Sequence, residues 1–306
     1  MRILVTGNNQ TADGVSTYIE SLISVLRDRG HYVYNPRDDR DIPEDFDIIF
    51  AKRQGNYKTP TIIHDHNAII PSIRYDMYKA WVKGKGRVVT VNSEFQRTQL
   101  ISRGVDGSRV RWLPNCVDEK VFYPRDTTIM SKRVLYLGRV GQNNQNTFFT
   151  IMEAMKYLPD FSLNVVGSVD AHMSKILSKD EYQLPNVSFI GSVHEKNILA
   201  EIISMHSFAI SVGRSAMECI LCGLPVLLFG LGWEGWIGER NVEYLHRQSN
   251  MTTRMTEEVS LNEKVERIRS AIYSAVPLDI DIAKRIFGLR KNIHIYESLF
   301  EELINE

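Results

Sequence analysis

Short apolar segments alternate with longer amphipathic ones along most of the chain. RILVTG (2–7) and KRVLYLGRV (132–140) have the length of strands and run into polar or glycine-rich loops. VSTYIESLISVLRDRG (15–30) places its apolar residues on one broad helical face and ends in a glycine, which favours helix termination. Short apolar strands that alternate with helices are typical of parallel sheets covered on both faces. We therefore predict an α/β protein.

The alternation restarts near Lys132, after the polar, proline-containing segment 123–131. A chain of 306 residues has room for two domains. We interpret residues 1–127 and 128–285 as two doubly wound domains. In such folds ligands bind beyond the carboxyl ends of the strands, where the strand order reverses, and a cleft between two domains is the default site.

Composition narrows the class of protein. Hydrophobic residues make up 43% and charged residues 24%, as in ordinary soluble globular proteins. No apolar run approaches the roughly 18 residues of a membrane span, and the first residues, MRILVTG, lack the apolar core of a signal peptide. We expect a cytoplasmic protein without a transmembrane segment.

Cys219 and Cys222 form a CxxC motif, which is compatible with a redox pair or half of a metal site. A second cysteine pair or a histidine cluster that would complete a zinc site is missing from the sequence. Both cysteines fall on a predicted buried helix. We therefore expect them to be small core residues, and we expect no metal site.

Residues 74–111 hold nine basic and three acidic residues. An anionic partner would favour such a face, although a solvated basic surface fits the charge equally well. Within the segment Tyr75, Tyr78 and Trp81 interleave with basic residues. This pattern fits an amphipathic helix with its aromatic side in the core, a peripheral contact with anionic lipid, or a surface that follows nucleic-acid phosphates.

Two turns have the composition of phosphate sites. Gly14 follows a strand and loop and precedes a helix, where a glycine permits close approach and N–H groups attract anions. Gly138 and Arg139 end a strand, and a guanidinium there can bind two phosphate oxygens at once. A plain turn glycine and a surface arginine remain the alternatives. The loop before Gly14 carries no GxGxxG, which disfavours a dinucleotide enzyme of the usual type.

VGRSAMECILCGLPVLLFG (212–230) predicts a strand end, a tight turn, a helix from about Ser215 and a second strand. Glu218 lies within it. Its carboxylate would either complement the helix dipole or accept hydrogen bonds from two ribose hydroxyls. The sequence does not distinguish between these two roles of Glu218.

The tripeptide His64-Asp65-His66 ends another predicted strand. Neighbouring residues on a strand point to opposite faces, so this spacing disfavours a metal site. A single imidazole directed into a cleft is the favoured interpretation.

Taken together, these motifs resemble the GT-B glycosyltransferases, specifically the family 4-like, glycogen synthase-like group. The resemblance runs nearly the whole length of the chain and rests on six segments: DGVSTYIESLISVLRDRGHYV (13–33), PTIIHDHN (60–67), VVTVNSEFQRTQLISRGVDGSRVRWLPNCVDEKVFYP (88–124), LYLGRV (135–140), MECILCGLPVL (217–227) and IHIYESLFEEL (293–303).

The resemblance implies two Rossmann-like domains that face each other across a cleft, with residues 286–306 as a C-terminal helix crossing back to the first domain. It implies transfer from a nucleotide-diphosphate sugar, with retention and without a required metal. No cofactor is expected beyond the co-substrate, a UDP- or GDP-linked sugar. The family's active-site histidine falls on His66.

The implied catalytic residues are His66, Arg139 and Glu218. The implied donor contacts are Gly14, Gly138, Arg139, Gly213, Arg214, Ser215, Glu218, Gly235 and Trp236, with 239–241 closing over the sugar. Candidates on the acceptor side are Asp65, Asn67, Arg74, Lys79 and Lys83.

Two positions depart from the family pattern. Asn144 and Gln145 stand where a lysine follows the Gly-Arg turn, and Ile210 stands where the first of two glutamates is usual. Arg214, just before the helix, is our candidate for the replacement cation. The acceptor stays open between a glycan, a lipid-linked glycan and a modified DNA base. A non-catalytic nucleotide-sugar-binding protein is the alternative from another class.

Overall fold

In the computed structural model of the protein, the described residues are 1–6, 14–36, 45–52, 58–65, 70–126, 132–230, 233–252, 260–274 and 276–306. The strands are β1 Arg2–Val5, β2 Tyr32–Tyr34, β3 Ile48–Ala51, β4 Thr61–Asp65, β5 Arg87–Val91, β6 Val110–Trp112, β7 Arg133–Leu137, β8 Ser162–Val166, β9 Val187–Gly191, β10 Phe208–Ser211, β11 Val226–Phe229 and β12 Trp233–Trp236. The α-helices are α1 Gly14–Asp28, α2 Ile73–Trp81, α3 Glu94–Ser102, α4 Gln145–Lys156, α5 Ala171–Leu177, α6 Lys196–Ser204, α7 Gly213–Leu221, α8 Val242–Ser249, α9 Leu261–Ser274, α10 Ile280–Phe287 and α11 Leu289–Ile304.

Two sheets divide the strands between them. The first has the order β2-β1-β3-β4-β5-β6, and all its pairs are parallel. The second has the order β12-β11-β10-β7-β8-β9, and only the pair β11–β12 is antiparallel. The prediction of two doubly wound α/β domains is confirmed.

The chain divides into two compact units around these sheets. The first comprises Met1–Asp118, His246–Asn250 and Arg285–Glu306, and the second comprises Glu119–Leu245 and Met251–Lys284. The sequence-based boundaries lie at 127/128 and 285/286.

Helices cover both faces of the first sheet. α1 and α11 share one hydrophobic cluster with β1 and β3, in which Tyr18 and Phe300 are buried. α2 and α3 pack on the other face, where Tyr78 and Trp81 are each 1% exposed. The aromatic side of α2 thus lies in the core, as one of the three interpretations of the basic segment proposes.

Where the chain leaves and re-enters the first unit, two backbone segments run in parallel. Val117 N–H donates to the Phe287 carbonyl over 2.8 Å, and Leu289 N–H donates to the Val117 carbonyl over 2.8 Å. Arg290 binds Asp118 through Nε at 2.8 Å and also reaches Asp28. This junction positions α11 for its packing against α1.

The second unit is built around α4 and α9, which pack on one face of its sheet with Phe148 and Ile268 in the core. α7 packs behind β10 and β11. Cys219 and Cys222 are buried free thiols of this unit, and burial raises the pKa of Cys222 to about 12. Their interpretation as core residues agrees with this burial.

Within the described ranges, no helix combines the length and the apolar character needed to cross a membrane.

Candidate functional site

The second sheet reverses its strand order between β7 and β10. From β7 the chain moves outward through β8 to β9, then returns to β10 on the opposite side of β7. The turns that follow β7 and β10 therefore emerge side by side at the carboxyl edge. The Ser211 hydroxyl joins the two strand ends by donating to the Leu137 carbonyl over 2.7 Å. In doubly wound sheets this is the position at which ligands bind.

The turn after β7 contains Gly138 and Arg139 and has its own hydrogen-bond network. The Arg139 carbonyl accepts from the Tyr136 hydroxyl at 3.1 Å and from Asn144 Nδ2 at 2.6 Å. Asn144 Oδ1 accepts from Gly141 N–H at 2.8 Å. The Arg139 side chain is exposed. This network fixes the turn and leaves its guanidinium at the surface of the carboxyl edge.

The loop after β8 packs against this turn. An added Cβ at Gly167 would lie 2.0 Å from the Gly138 carbonyl oxygen, so the two backbones touch. Asp170 caps α5 through Met173 N–H at 2.8 Å and also accepts from Gln142 N–H at 2.9 Å. These backbone hydrogen bonds lower the pKa of Asp170. Gly167 and Asp170 are absent from the sequence prediction, although an aspartate before a short helix is a recognisable cap signal.

The turn after β10 leads directly into α7, which starts at Gly213 rather than near Ser215. Gly213 has φ +61°, a conformation that glycine adopts without a side-chain clash. Its N–H donates to the Met251 carbonyl over 2.7 Å. The Gly213 amide is therefore already bound within the protein and would have to leave Met251 to contact a donor. Ser215, in the first turn of α7, is partly exposed.

Arg214 and Glu218 form an ion pair on α7. Arg214 Nε donates to Glu218 Oε1 over 3.0 Å, and the two side chains are 7% and 6% exposed. Burial raises the pKa of Glu218, while the nearby cations of Arg214 and Lys196 act in the opposite direction. Glu218 lies beyond the first helical turn, so the helix dipole does not explain it. Arg214, which was predicted to bind the diphosphate, and Glu218, which was predicted to bind the ribose, are thus partners of each other.

Lys196 was missed by the sequence interpretation. It begins α6, which packs beside α7, and its charge acts on the Glu218 carboxyl. Only tertiary packing brings these two residues together.

Gly235 and Trp236 lie in β12, which pairs with β11. The Trp236 ring packs edge-on against Phe208 with 5.0 Å between ring centroids, and it borders the core of the second unit. Asn241 donates to the Trp236 carbonyl over 2.8 Å and accepts from Gly238 N–H at 2.9 Å. In this structure the Trp236 ring packs within the protein. A contact between this loop and a donor sugar stays a prediction.

In the first unit, His66 and Asn67 lie outside the described residues, and Gly14 is the first residue of α1. Asp65 is described, and its carboxylate is fully buried. It accepts from the Tyr78 hydroxyl at 2.6 Å and from Arg74 at 3.0 Å. Burial, and next the charge of Asp65, raise the pKa of Tyr78. Asp65 thus anchors α2 to the end of β4, and its assignment to the acceptor side stays a prediction.

His64 is a core imidazole. It stacks on Tyr18 with 5.5 Å between ring centroids, and its Nδ1 lies 2.8 Å from the Thr90 hydroxyl. Burial lowers its pKa to about 4, so it is neutral at physiological pH. The assignment of the family's active-site histidine to His66 stays a prediction.

Much of the positive charge in residues 74–111 is compensated locally. Lys79 lies 3.3 Å from Asp76, and Arg111 donates to Glu302 over 3.1 Å. Arg87 stacks over the Trp81 ring at 4.2 Å. Lys83 is exposed. The segment is therefore less basic as a surface than its composition indicates.

No protein-family model matches the sequence, and no curated protein matches it significantly. Solved structures do match in fold. Anabaena Alr3699/HepE in complex with UDP-glucose has 14% identity and a TM-score of 0.67, with 100% of both chains covered. AviGT4, a glycosyltransferase involved in avilamycin A biosynthesis, has 14% identity and a TM-score of 0.66, with 99% of this chain and 98% of that chain covered.

An α-glucosyltransferase in complex with UDP and a 13-mer DNA containing a HMU base also matches, with 13% identity and a TM-score of 0.65. The match covers 98% of this chain and 99% of that chain. The chain therefore has the GT-B fold of glycosyltransferases.

Proposed function

We propose that the protein is a glycosyltransferase that moves a sugar from a UDP- or GDP-linked donor to an acceptor. One observation carries the proposal: the switch point of the second sheet joins the Gly138–Arg139 turn to the start of α7, and each supplies an arginine. The proteins of similar fold that were solved with UDP or UDP-glucose add support for a nucleotide donor.

The chemistry follows from the charges at this edge. As the bond between sugar and diphosphate breaks, negative charge develops on the leaving group, and fixed positive groups there stabilise the transition state. The exposed guanidinium of Arg139 would bind phosphate oxygens. The first turn of α7 adds the positive end of its dipole.

Glu218 would bind the ribose only if Arg214 shares or releases its carboxylate. We propose that the donor diphosphate draws Arg214 toward itself, which frees Glu218 Oε1 for a hydroxyl. His66 would position the sugar, as the resemblance implies, and retention and metal independence are proposed on the same resemblance.

The test uses purified protein and a panel of UDP-, GDP- and ADP-sugars. We expect nucleotide binding in calorimetry and slow hydrolysis of one donor without acceptor. Arg139→Ala should weaken nucleotide binding about 10- to 100-fold and slow hydrolysis, as expected for the loss of hydrogen bonds to a charged group. Arg267→Ala, which removes an exposed helix ion pair, should leave both unchanged. Binding without turnover would identify a non-catalytic binding protein, and no binding across the panel would refute the proposal.

A modified DNA base is the second acceptor candidate, because one protein of this fold was solved with DNA that contains such a base. We expect DNA affinity that falls steeply with salt and that weakens in Lys83→Ala. Binding to vesicles of anionic lipid without DNA binding would instead favour a lipid-linked acceptor.

A further inference from the structure

Asn144 stands at a position where the resemblance leads us to expect a lysine, and its side chain makes three hydrogen bonds. Nδ2 donates to the Arg139 carbonyl at 2.6 Å and to the Tyr136 hydroxyl at 3.0 Å, and Oδ1 accepts from Gly141 N–H at 2.8 Å. A lysine ammonium only donates, so it cannot replace the acceptor that Gly141 uses. Asn144 is therefore part of a different arrangement and not a vacant lysine position.

The opposite side of the turn is held by the neighbouring loop. Val140 N–H donates to the Ser168 carbonyl at 2.8 Å, Asp170 N–H donates to the Val140 carbonyl at 3.0 Å, and Gln142 N–H donates to Asp170 at 2.9 Å. Together with the Asn144 bonds, these contacts hold the backbone from 139 to 142 on two sides. The Arg139 side chain projects from this fixed backbone into solvent.

We propose that Asn144 is a positioning residue that acts through Arg139. By holding the Arg139 carbonyl and the Gly141 amide, it sets the direction in which the guanidinium leaves the turn. A donor diphosphate then meets a cation whose backbone needs little further ordering, which reduces the cost of binding. The inference rests on the proposed function, because it assigns the diphosphate as the group that Arg139 binds.

Reintroducing the expected lysine should therefore weaken the site. Asn144→Lys adds a positive charge near the diphosphate but loses the acceptor for Gly141 and the defined bonds to Arg139. Gln145→Lys is the matched control, since it adds the same charge one residue away and leaves Asn144 intact. Asn144→Gln keeps a donor and an acceptor but displaces both by one methylene group, so an intermediate effect is expected.

The experiment measures the dissociation constant of UDP by calorimetry and KM and kcat for the donor sugar. Asn144→Ala and Asn144→Lys should each weaken UDP binding and raise KM about tenfold, the size of one well-oriented contact. In an Arg139→Ala background the same substitutions should change binding less than about twofold, because coupled residues are not additive. A general loss of structure would lower affinity in both backgrounds.

Equal losses in both backgrounds, or UDP binding as tight as wild type in Asn144→Lys, would overturn the inference while leaving the proposed function standing. Failure of the wild-type protein to bind any nucleotide would overturn both the inference and the proposed function. The two failures are distinguishable, because this one is seen without any variant. If Asn144→Ala does not fold, as judged by thermal melting, Asn144→Gln in the same cycle decides the question.

Discussion

Arg214 and Glu218 are four residues apart on one helix, and both are almost completely buried. A buried ion pair is stable only while both partners are present, since removal of either leaves an uncompensated charge. Their pairing couples two residues at the carboxyl edge of the second sheet, and the charge of Arg214 opposes the rise that burial causes in the pKa of Glu218.

Arg214→Ala should therefore destabilise the protein in a pH-dependent way. Without its partner, the pKa of Glu218, which burial already raises, should rise further. A carboxyl whose pKa is higher in the folded than in the unfolded protein stabilises the fold at low pH. That contribution is lost as the pH rises from the unfolded pKa toward the folded pKa. We expect a loss of about 3–5 kcal/mol at pH 8 and a smaller one at pH 5 in urea unfolding.

Arg214→Lys, which keeps the charge, and the double variant Arg214→Ala/Glu218→Gln should each recover part of that loss. Equal deficits at both pH values would show that the Glu218 charge is not the cause.

The contribution of His246 to the free energy of unfolding depends on pH in the opposite direction to that of Glu218 in the Arg214→Ala variant. It is buried, its Nε2 lies 3.0 Å from the Asn115 carbonyl oxygen, and burial lowers its pKa to about 4. Below pH 6.5 the unfolded chain binds a proton that the folded protein excludes, so stability falls on acidification. The shift corresponds to about 3 kcal/mol between pH 7 and pH 4.

His246→Gln does not titrate and retains an N–H donor. Its free energy of unfolding should be lower than wild type at pH 7, and it should fall less toward pH 4. A variant whose stability curve runs parallel to wild type over this range would contradict the assignment.

At the scale of elements, the carboxyl edge of the second sheet is shaped by loops that touch backbone to backbone. The loop after β8 lies on the turn after β7, and the turn after β10 is held by Met251, which follows α8. Strand order brings these loops together, and glycines let them approach.

Gly167→Ala tests this close approach. The added methyl group would lie 2.0 Å from the Gly138 carbonyl oxygen at a backbone φ of +144°, so the turn must move. We expect a loss of about 2–4 kcal/mol in thermal or urea unfolding, together with weaker nucleotide binding. Gly238→Ala is the control, because nothing lies within 4 Å of its added Cβ and it should melt like wild type.

At the scale of the whole molecule, the last helix belongs to the unit that begins the chain. The Tyr18 hydroxyl on α1 donates to the Tyr296 hydroxyl on α11 over 3.0 Å, and Phe300 packs against Phe50. The first sheet thus has one face covered by residues nearly 300 positions away in sequence, which makes the folding of this unit dependent on the end of the chain.

Phe300→Ala should cost about 3–5 kcal/mol, because Phe300 is fully buried and leaves a cavity. The loss should fall on the first unit, so amide exchange should accelerate in β1 and β3 more than in β7 and β10. Glu301→Ala, on the exposed side of the same helix, should change neither stability nor exchange. Equal acceleration in both sheets would contradict the assignment of α11 to the first unit.

Much of the architecture could be predicted from local pattern. Periodicity predicts the strands β1 and β7, the helix α1 and the unit that contains α7, because each buries residues whose spacing is visible in the sequence. The short helices α5, α8 and α10 were missed, since brief or weakly apolar segments lack a clear period. β12 was also missed, because an antiparallel edge strand depends on its pairing with β11.

The sequence by itself determined the α/β class, two doubly wound units, the turn that carries Gly138 and Arg139 and the helix that carries Glu218, because these follow from spacing along the chain. Only the tertiary structure decided what those residues contact. It paired Arg214 with Glu218, turned Asp65 inward to Tyr78 and bound Asn144 to the Arg139 carbonyl. Contacts of this kind depend on which elements become neighbours in space, and local propensity does not encode that choice.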